Sequence, residues 1–102
     1  MWVFNQMIDK EKAIMAVGDE GVGLYEKAVS QLEKFEGDSI SGRIGGKLSI
    51  IYRIKGKGTV YIDIYKDRVD MQLRNKSYEN ISYDRCVAEL ENFLSSAIQN
   101  SG

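Results

Sequence analysis

The sequence of 102 residues contains no histidine, no proline and only one cysteine, Cys86. Without histidine, the chain lacks the general base of Ser-His and Cys-His catalytic sites and the commonest metal ligand. A single cysteine can form neither an intramolecular disulfide nor the thiolate cage of a structural zinc site. We therefore expect a protein that is not an enzyme and that holds no metal ion or other cofactor.

Long apolar runs are also absent from the sequence. No run approaches the roughly 18 apolar residues of a membrane span. The first residues, MWVFNQMIDKEK, lack the basic start and the long apolar stretch of a secretory signal peptide. Together with the lone cysteine, these absences predict a cytoplasmic protein with no membrane association.

The remaining composition is that of an ordinary globular protein. Apolar residues make up 43% of the chain and charged residues 28%, and both fractions are typical of globular domains. A chain of 102 residues has the usual length of one domain and can bury a core without disulfides. We therefore expect residues 1–102 to form a single domain.

The middle of the chain alternates apolar and polar residues with the period of β-strands. To keep the apolar positions of three successive strands on one side, the first hairpin needs an odd loop and the second an even one. We predict Gly56-Lys57-Gly58 for the first loop and Lys66-Asp67 for the second. The apolar positions are Leu48, Ile50, Tyr52 and Ile54; Val60, Ile62 and Ile64; and Val69, Met71 and Leu73.

Helical periodicity occurs on both sides of these strands. Residues 3–17 carry an apolar stripe, and the glycines of 18–23 are predicted to end that helix in a turn. Residues 24–36 carry a cleaner stripe, which Gly37 is expected to end, and residues 82–99 carry another, which begins at a serine N-cap. The stripe residues are Phe4, Met7, Ile8, Ile14 and Met15; Tyr25, Ala28, Val29, Leu32 and Phe35; and Cys86, Val87, Leu90, Phe93, Leu94, Ala97 and Ile98.

The predicted element order is therefore α-α-β-β-β-α. Between the second helix and the first of these strands, DSISGRIGG is expected to be a loop or a bent leading strand, with a fourth short strand near 40–45 as one possibility. This order predicts an α+β fold of two layers, an antiparallel three-stranded meander with the helices packed on one face. The opposite face of the sheet is expected to be open.

Charge is segregated along the chain. Residues 1–42 carry a net charge of −4, residues 43–76 carry +6 and residues 77–102 carry −3. Because the basic segment contains all three predicted strands, we expect the open face to have a positive potential.

The predicted open face carries charged and aromatic side chains. The predicted loops place Tyr61 opposite Arg53 and Gln72. Tyrosine and arginine are favoured anchors of protein interfaces, and aromatic side chains beside cations also suit single-stranded nucleic acid. The candidate binding residues are Arg53, Tyr61, Tyr65, Arg68, Gln72 and Arg74.

The same register places Asp63 directly opposite Asp70, where like charges repel each other. Such a pair could be a carboxylate dyad or half of a cation site. Neutralisation by Arg53, Arg68 or another nearby cation is the simpler expectation, because the sequence shows no third polar group of an acid–base set.

Three functions fit the predicted surface. The favoured one is a small non-enzymatic binding protein that uses the open face to form a homodimer or to dock a protein partner. Single-stranded nucleic-acid binding through the same face is the first alternative, and a carrier of a small apolar ligand is the second. A plain solvated sheet face also fits, because tyrosine and threonine are common in strands.

Overall fold

The computed structural model describes residues 10–101, with side chains described for residues 11–42 and 45–95. Two helices flank a five-stranded antiparallel sheet in the order α-β-β-β-β-β-α, so the predicted α+β fold is confirmed. The elements are α1 Lys10–Leu32, β1 Gly37–Ile44, β2 Lys47–Ile54, β3 Gly58–Ile64, β4 Val69–Leu73, β5 Lys76–Ile81 and α2 Tyr83–Ser101.

The sheet is a meander in which spatial order follows chain order, from β1 at one edge to β5 at the other. The three predicted strands are β2, β3 and β4. Of the two others, β1 covers the region where a loop or a fourth short strand was expected, and β5 was not predicted. The described residues thus contain two more paired strands than the expected three-stranded meander.

The core lies between one face of the sheet and the helices. The apolar positions predicted for β2, β3 and β4 are all buried, which confirms that their alternation marks the core face. The helices contribute Leu32 and Leu90, whose exposed fractions are 0% and 2%. The other sheet face has no helix of the described chain on it, and we call it the open face.

Helix α1 differs from the prediction in its first half. The predicted break between two helices is present as a kink at Gly18, whose backbone angles are non-helical (φ 81°, ψ 171°). The break is shorter than the expected turn over 18–23, because the residues after Gly18 are again helical. Met15, expected on the buried stripe, is 81% exposed, and Ala13 and Val17 are buried instead. The predicted stripe residues Phe4, Met7 and Ile8 lie outside the described residues.

The second half of α1 buries the stripe that the sequence predicted, from Tyr25 to Leu32. The helix ends before Gly37, which is the first residue of β1 and not a helix stop. In α2, the backbone N–H of Arg85 donates to Ser82 Oγ at 3.1 Å, which confirms the predicted N-cap. Ala97 and Ile98 lie outside the described side chains.

The two central hairpins decide which side chains are neighbours on the open face. Between β3 and β4, Tyr61 pairs with Gln72 and Asp63 with Asp70, as the sequence predicted. Between β2 and β3, Ile54 pairs with Gly58, so the loop is 55–57 and the predicted loop 56–58 is wrong by one residue. Gly56 takes the left-handed conformation at the centre of this loop (φ 77°), which glycine adopts without steric cost.

Within the described residues, neither helix has a stretch both long enough and apolar enough to cross a lipid bilayer.

Candidate functional site

Three large apolar side chains form a continuous line across the open face. Ile40 of β1 pairs with Ile51 of β2, and Ile51 pairs with Tyr61 of β3. Their exposed fractions are 58%, 37% and 44%. We call these three residues the apolar row. Side chains paired directly across an antiparallel sheet lie close together, so the row presents one patch.

The apolar row lies beside an open groove of about 340 Å³. Arg53 and Thr59 line the groove next to the row, and Asp38 lines it from β1. Arg53 stands directly opposite Asp38, although no ion pair within 4 Å and no hydrogen bond of its guanidinium is found among the described residues. An apolar patch with an available cation at its side is the kind of surface that anchors a protein partner.

A different group of side chains occupies the other end of the open face, and we call it the paired cluster: Lys47, Ser49, Asp63, Tyr65 and Arg68. Lys47 Nζ lies 3.3 Å from Asp63 Oδ2, and Ser49 Oγ donates to Asp63 Oδ1 at 2.9 Å. The Arg68 guanidinium lies 4.1 Å from the centre of the Tyr65 ring, within the range of a cation–π contact. The polar groups of the paired cluster therefore interact with one another.

The electrostatics of the paired cluster are those of a satisfied ion pair. Partial burial alone would lower the pKa of Lys47, but the carboxylate of Asp63, with a smaller contribution from Tyr65, raises that pKa above its ordinary value. The charged form of Lys47 is therefore stabilised in the folded protein.

The facing carboxylates Asp63 and Asp70 each have a partner of their own. Asp63 forms an ion pair with Lys47. Lys47 is therefore the nearby cation that neutralises Asp63, in place of Arg53 or Arg68. Asp70 Oδ1 accepts a hydrogen bond of 2.8 Å from the backbone N–H of Asn80 in β5. This arrangement explains how two like charges face each other across the sheet.

The six residues proposed from sequence lie on the open face or at its edge, but the structure divides them. Tyr61 and Arg53 line the groove, and Gln72 is exposed opposite Tyr61. Tyr65 and Arg68 stack on each other in the paired cluster. Arg74 lies in the β4–β5 turn with φ 55°. The expected Arg53–Tyr61 pairing is wrong, because Arg53 faces Thr59.

Sequence reasoning missed Ile40 and Asp38, the contributions of β1 to this surface. Ile40 alternates with Ser39 and Ser41, so the period of a strand is present in the sequence, but with its apolar residue outside. Ser41 faces the core, where its hydroxyl is 2.7 Å from that of Tyr25. A strand with serine inside and isoleucine outside lacks the usual core signature.

The open face is mixed in charge, which differs from the positive potential expected from the sequence. The edge strand β5 brings Glu79 beside the sheet residues Asp63 and Asp70, and the edge strand β1 brings Asp38 opposite Arg53. These acids come in part from the acidic flanks of the chain, and they offset the cations of the basic segment.

The chemistry of the remaining groups is limited. Among the residues that the structure describes, no three His, Cys, Asp or Glu side chains are placed to hold a metal ion. Cys86 is buried beside Met71, and burial raises the pKa of its thiol to about 11. Little thiolate, the reactive form, is therefore present near neutral pH.

No family model, no curated protein sequence and no solved structure matches the chain.

Proposed function

We propose that this is a non-enzymatic binding protein of the cytoplasm, and that the apolar row with Arg53 is its contact surface for a protein partner. The observation that carries the proposal is the exposure of Ile40, Ile51 and Tyr61 in register on three adjacent strands. Isolated exposed apolar residues are ordinary, whereas a contiguous patch marks a binding surface.

The paired cluster supports a protein partner over single-stranded nucleic acid. Stacking of bases along a strand needs several accessible aromatic rings, but the Arg68 guanidinium lies over the ring of Tyr65, and of Tyr61 and Tyr65 only Tyr61 is exposed. Phosphate binding needs an excess of cations, and Asp38 and Glu79 add negative charge to the same face. The carrier alternative has less support, since fully buried side chains such as Leu32 and Ile62 fill the layer between helices and sheet.

Quantitative affinity capture tests the proposal with matched variants. We expect proteins retained by the wild type to be lost with Ile51→Ser and with Tyr61→Ser, because each change removes apolar area from the centre of the patch. Glu79→Ser is the control, since Glu79 lies on the same face outside the row. It should retain the same proteins.

The same variants separate the protein and nucleic-acid hypotheses. Single-stranded oligonucleotides should not be retained, even near about 50 mM salt, where phosphate contacts are strong. Oligonucleotide binding that disappears with Tyr61→Ser would establish the nucleic-acid function instead. Protein capture that is identical for the wild type, Ile51→Ser and Tyr61→Ser would remove the apolar row from the function.

A further inference from the structure

The apolar row continues across the whole open face as a line of residues without charge. Tyr61 pairs with Gln72 of β4, and Gln72 pairs with Ser77 of β5. Each of the five strands thus contributes one uncharged residue, and we call this set the uncharged line: Ile40, Ile51, Tyr61, Gln72 and Ser77.

Charged residues lie on both sides of the uncharged line. Asp38 faces Arg53 on the side of the β2–β3 loop, and Asp63 faces Asp70 on the other side. In a two-fold symmetric contact, a residue on the axis meets its own copy. A charged residue there would meet a like charge, which costs affinity, so the uncharged line is the favourable place for such an axis.

We propose that the protein partner is a second copy of this chain, and that the two copies pack open face against open face about a two-fold axis along the uncharged line. Each strand then lies over the same strand of the second copy and runs opposite to it. Ile40, Ile51 and Tyr61 meet their own copies and bury their exposed apolar area. Sheets that pack face to face with nearly aligned strands lie about 10 Å apart.

Charge disfavours the other symmetric arrangements of the two faces. An axis along one of the first four strands would place a charged residue over its own copy: Asp38 in β1, Arg53 in β2, Asp63 in β3 or Asp70 in β4. An axis along the uncharged line instead places Arg53 over Ser49 of the second copy, with Asp63 on the next strand. The side chain of Asp63 is 33% exposed, so its carboxylate can accept a hydrogen bond from Arg53, and symmetry forms this contact twice.

The area of the open face is sufficient for a specific contact. The uncharged line and one line of residues on each side of it cover five strands, roughly 24 by 20 Å, or about 500 Å² in each copy. Two copies together therefore bury about 1,000 Å², the size at which specific interfaces begin.

This pairing rests on the proposed function, because it names the partner of the same surface. Tagged and untagged copies of the chain distinguish the two proposals. If the tagged chain retains other proteins through Ile51 and Tyr61 but does not retain an untagged copy, the pairing is wrong and the proposed function stands. If it retains neither, both are wrong.

Sedimentation velocity tests the contact in solution. The wild type should form a concentration-dependent dimer. Ile51→Asp should be a monomer, because it places two carboxylates over each other on the axis. Met15→Asp is the matched control, since Met15 is also an exposed apolar residue, at 81%, but lies on α1 away from the sheet face. It should leave the dimer unchanged.

Cross-linking tests the direction of the axis. Ile51→Cys and Gln72→Cys each place a thiol over its own copy, so a bismaleimide with a reach of about 10 Å, the separation of packed sheets, should link both variants. An axis along a strand could not link both, because β3 lies between their strands. Thr59→Cys is the control, since its two copies are offset by about 13 Å along the strands. The native Cys86 is buried and should not react.

Three results would overturn the pairing. They are a wild-type monomer at all concentrations, a dimer that Ile51→Asp does not weaken, and cross-linking of Thr59→Cys that equals that of Ile51→Cys. If Ile51→Asp fails to fold, as judged by circular dichroism, the cross-linking experiment still decides.

Discussion

The two halves of the open face carry similar residue types but differ in how far their side chains contact one another. In the paired cluster, Lys47, Asp63 and Ser49 satisfy one another, and Arg68 covers Tyr65. In the apolar row and its groove, Tyr61 is 44% exposed and the guanidinium of Arg53 has no partner among the described residues. Both halves thus contain a tyrosine and an arginine, but only in the paired cluster does the arginine lie over the tyrosine ring.

The difference arises from the hairpin loop between β2 and β3. Had the loop been 56–58, Tyr61 would face Arg53, and both halves of the open face would carry cation–aromatic pairs. With the loop at 55–57, Tyr61 faces Ile51, and Ile40 extends this pair to the sheet edge. A shift of one loop residue moves every pairing by two and converts a polar row into an apolar one.

The largest expected effect is on the free energy of unfolding, and it compares a substitution on the core face with one on the open face. Ile62→Ala should lower the free energy of unfolding by about 2–5 kcal/mol, because Ile62 is fully buried and its loss leaves a cavity. Ile51→Ala, on the next strand and the opposite face, should cost below about 1 kcal/mol, as surface substitutions usually do. Urea unfolding followed by circular dichroism measures both.

Equal losses for the two variants would break the comparison. The apolar row would then stabilise the fold like any core group, and its exposure would need no binding partner as an explanation.

The central strands were predictable from the sequence because the polarity of each residue indicates which face of the sheet it occupies. The alternation from Leu48 to Leu73 is fully realised in burial. The β3–β4 register was predictable as well, since an even loop through Lys66-Asp67 was the simplest one, and the N–H of Tyr65 does donate to the carbonyl of Arg68 at 2.8 Å. The β2–β3 loop was not predictable. Gly56 and Gly58 allow a three-residue loop at 55–57 or at 56–58, and both loops keep the apolar residues on the same face.

The edge strands and half of the candidate site were not predictable from local pattern. In β1, Ser39 and Ser41 face inward and Ile40 outward, which reverses the usual alternation. In β5, a bulge at Asn80 interrupts the period of two. Both strands exist because their neighbours supply hydrogen bonds, and this tertiary contribution overrides weak local preference. The row depends on β1, so it could not be anticipated.

The second prediction concerns Arg74, which lies in the β4–β5 turn at the end of the sheet. Arg74 has φ 55° in the two-residue loop between Leu73 and Lys76, a conformation that costs an L-residue about 1–2 kcal/mol. Glycine relieves this strain at an entropic cost of about 0.5–1 kcal/mol. Arg74→Gly should therefore raise the free energy of unfolding by about 0.5–1 kcal/mol, measured by urea titration.

The adjacent residue supplies the control for Arg74. Asn75 is not among the described residues with positive φ, so Asn75→Gly should destabilise the protein or leave it unchanged. A stabilising Arg74→Gly that also weakens capture of protein partners would assign Arg74 to the binding surface, since backbone strain often persists where function requires a side chain. Loss of stability in Arg74→Gly would show that its side chain, packed near Gly58, contributes more than the turn costs.

The smallest expected effect compares two lysines whose ion pairs have the same length. Lys47 Nζ lies 3.3 Å from Asp63 and Lys55 Nζ lies 3.3 Å from Glu36, but the side chains of the first pair are 30% and 33% exposed and those of the second 75% and 78%. Exposed pairs are screened by solvent and contribute little. We expect Lys47→Ala to cost about 0.5–1 kcal/mol of unfolding free energy and Lys55→Ala to cause no measurable change.

The pH dependence shows whether the Lys47 effect comes from its charge. The pKa of Lys47 is raised in the folded protein above its ordinary value of 10.5, so the folded state holds this proton more tightly than the unfolded state. The contribution is therefore complete well below pH 10.5 and disappears as the pH rises through the folded value. The stability difference between the wild type and Lys47→Ala should stay constant from neutral pH to about pH 9 and shrink above it. A difference that persists at high pH would assign the effect to packing against Tyr65, and the paired cluster would then be held by contact area and not by its ion pair.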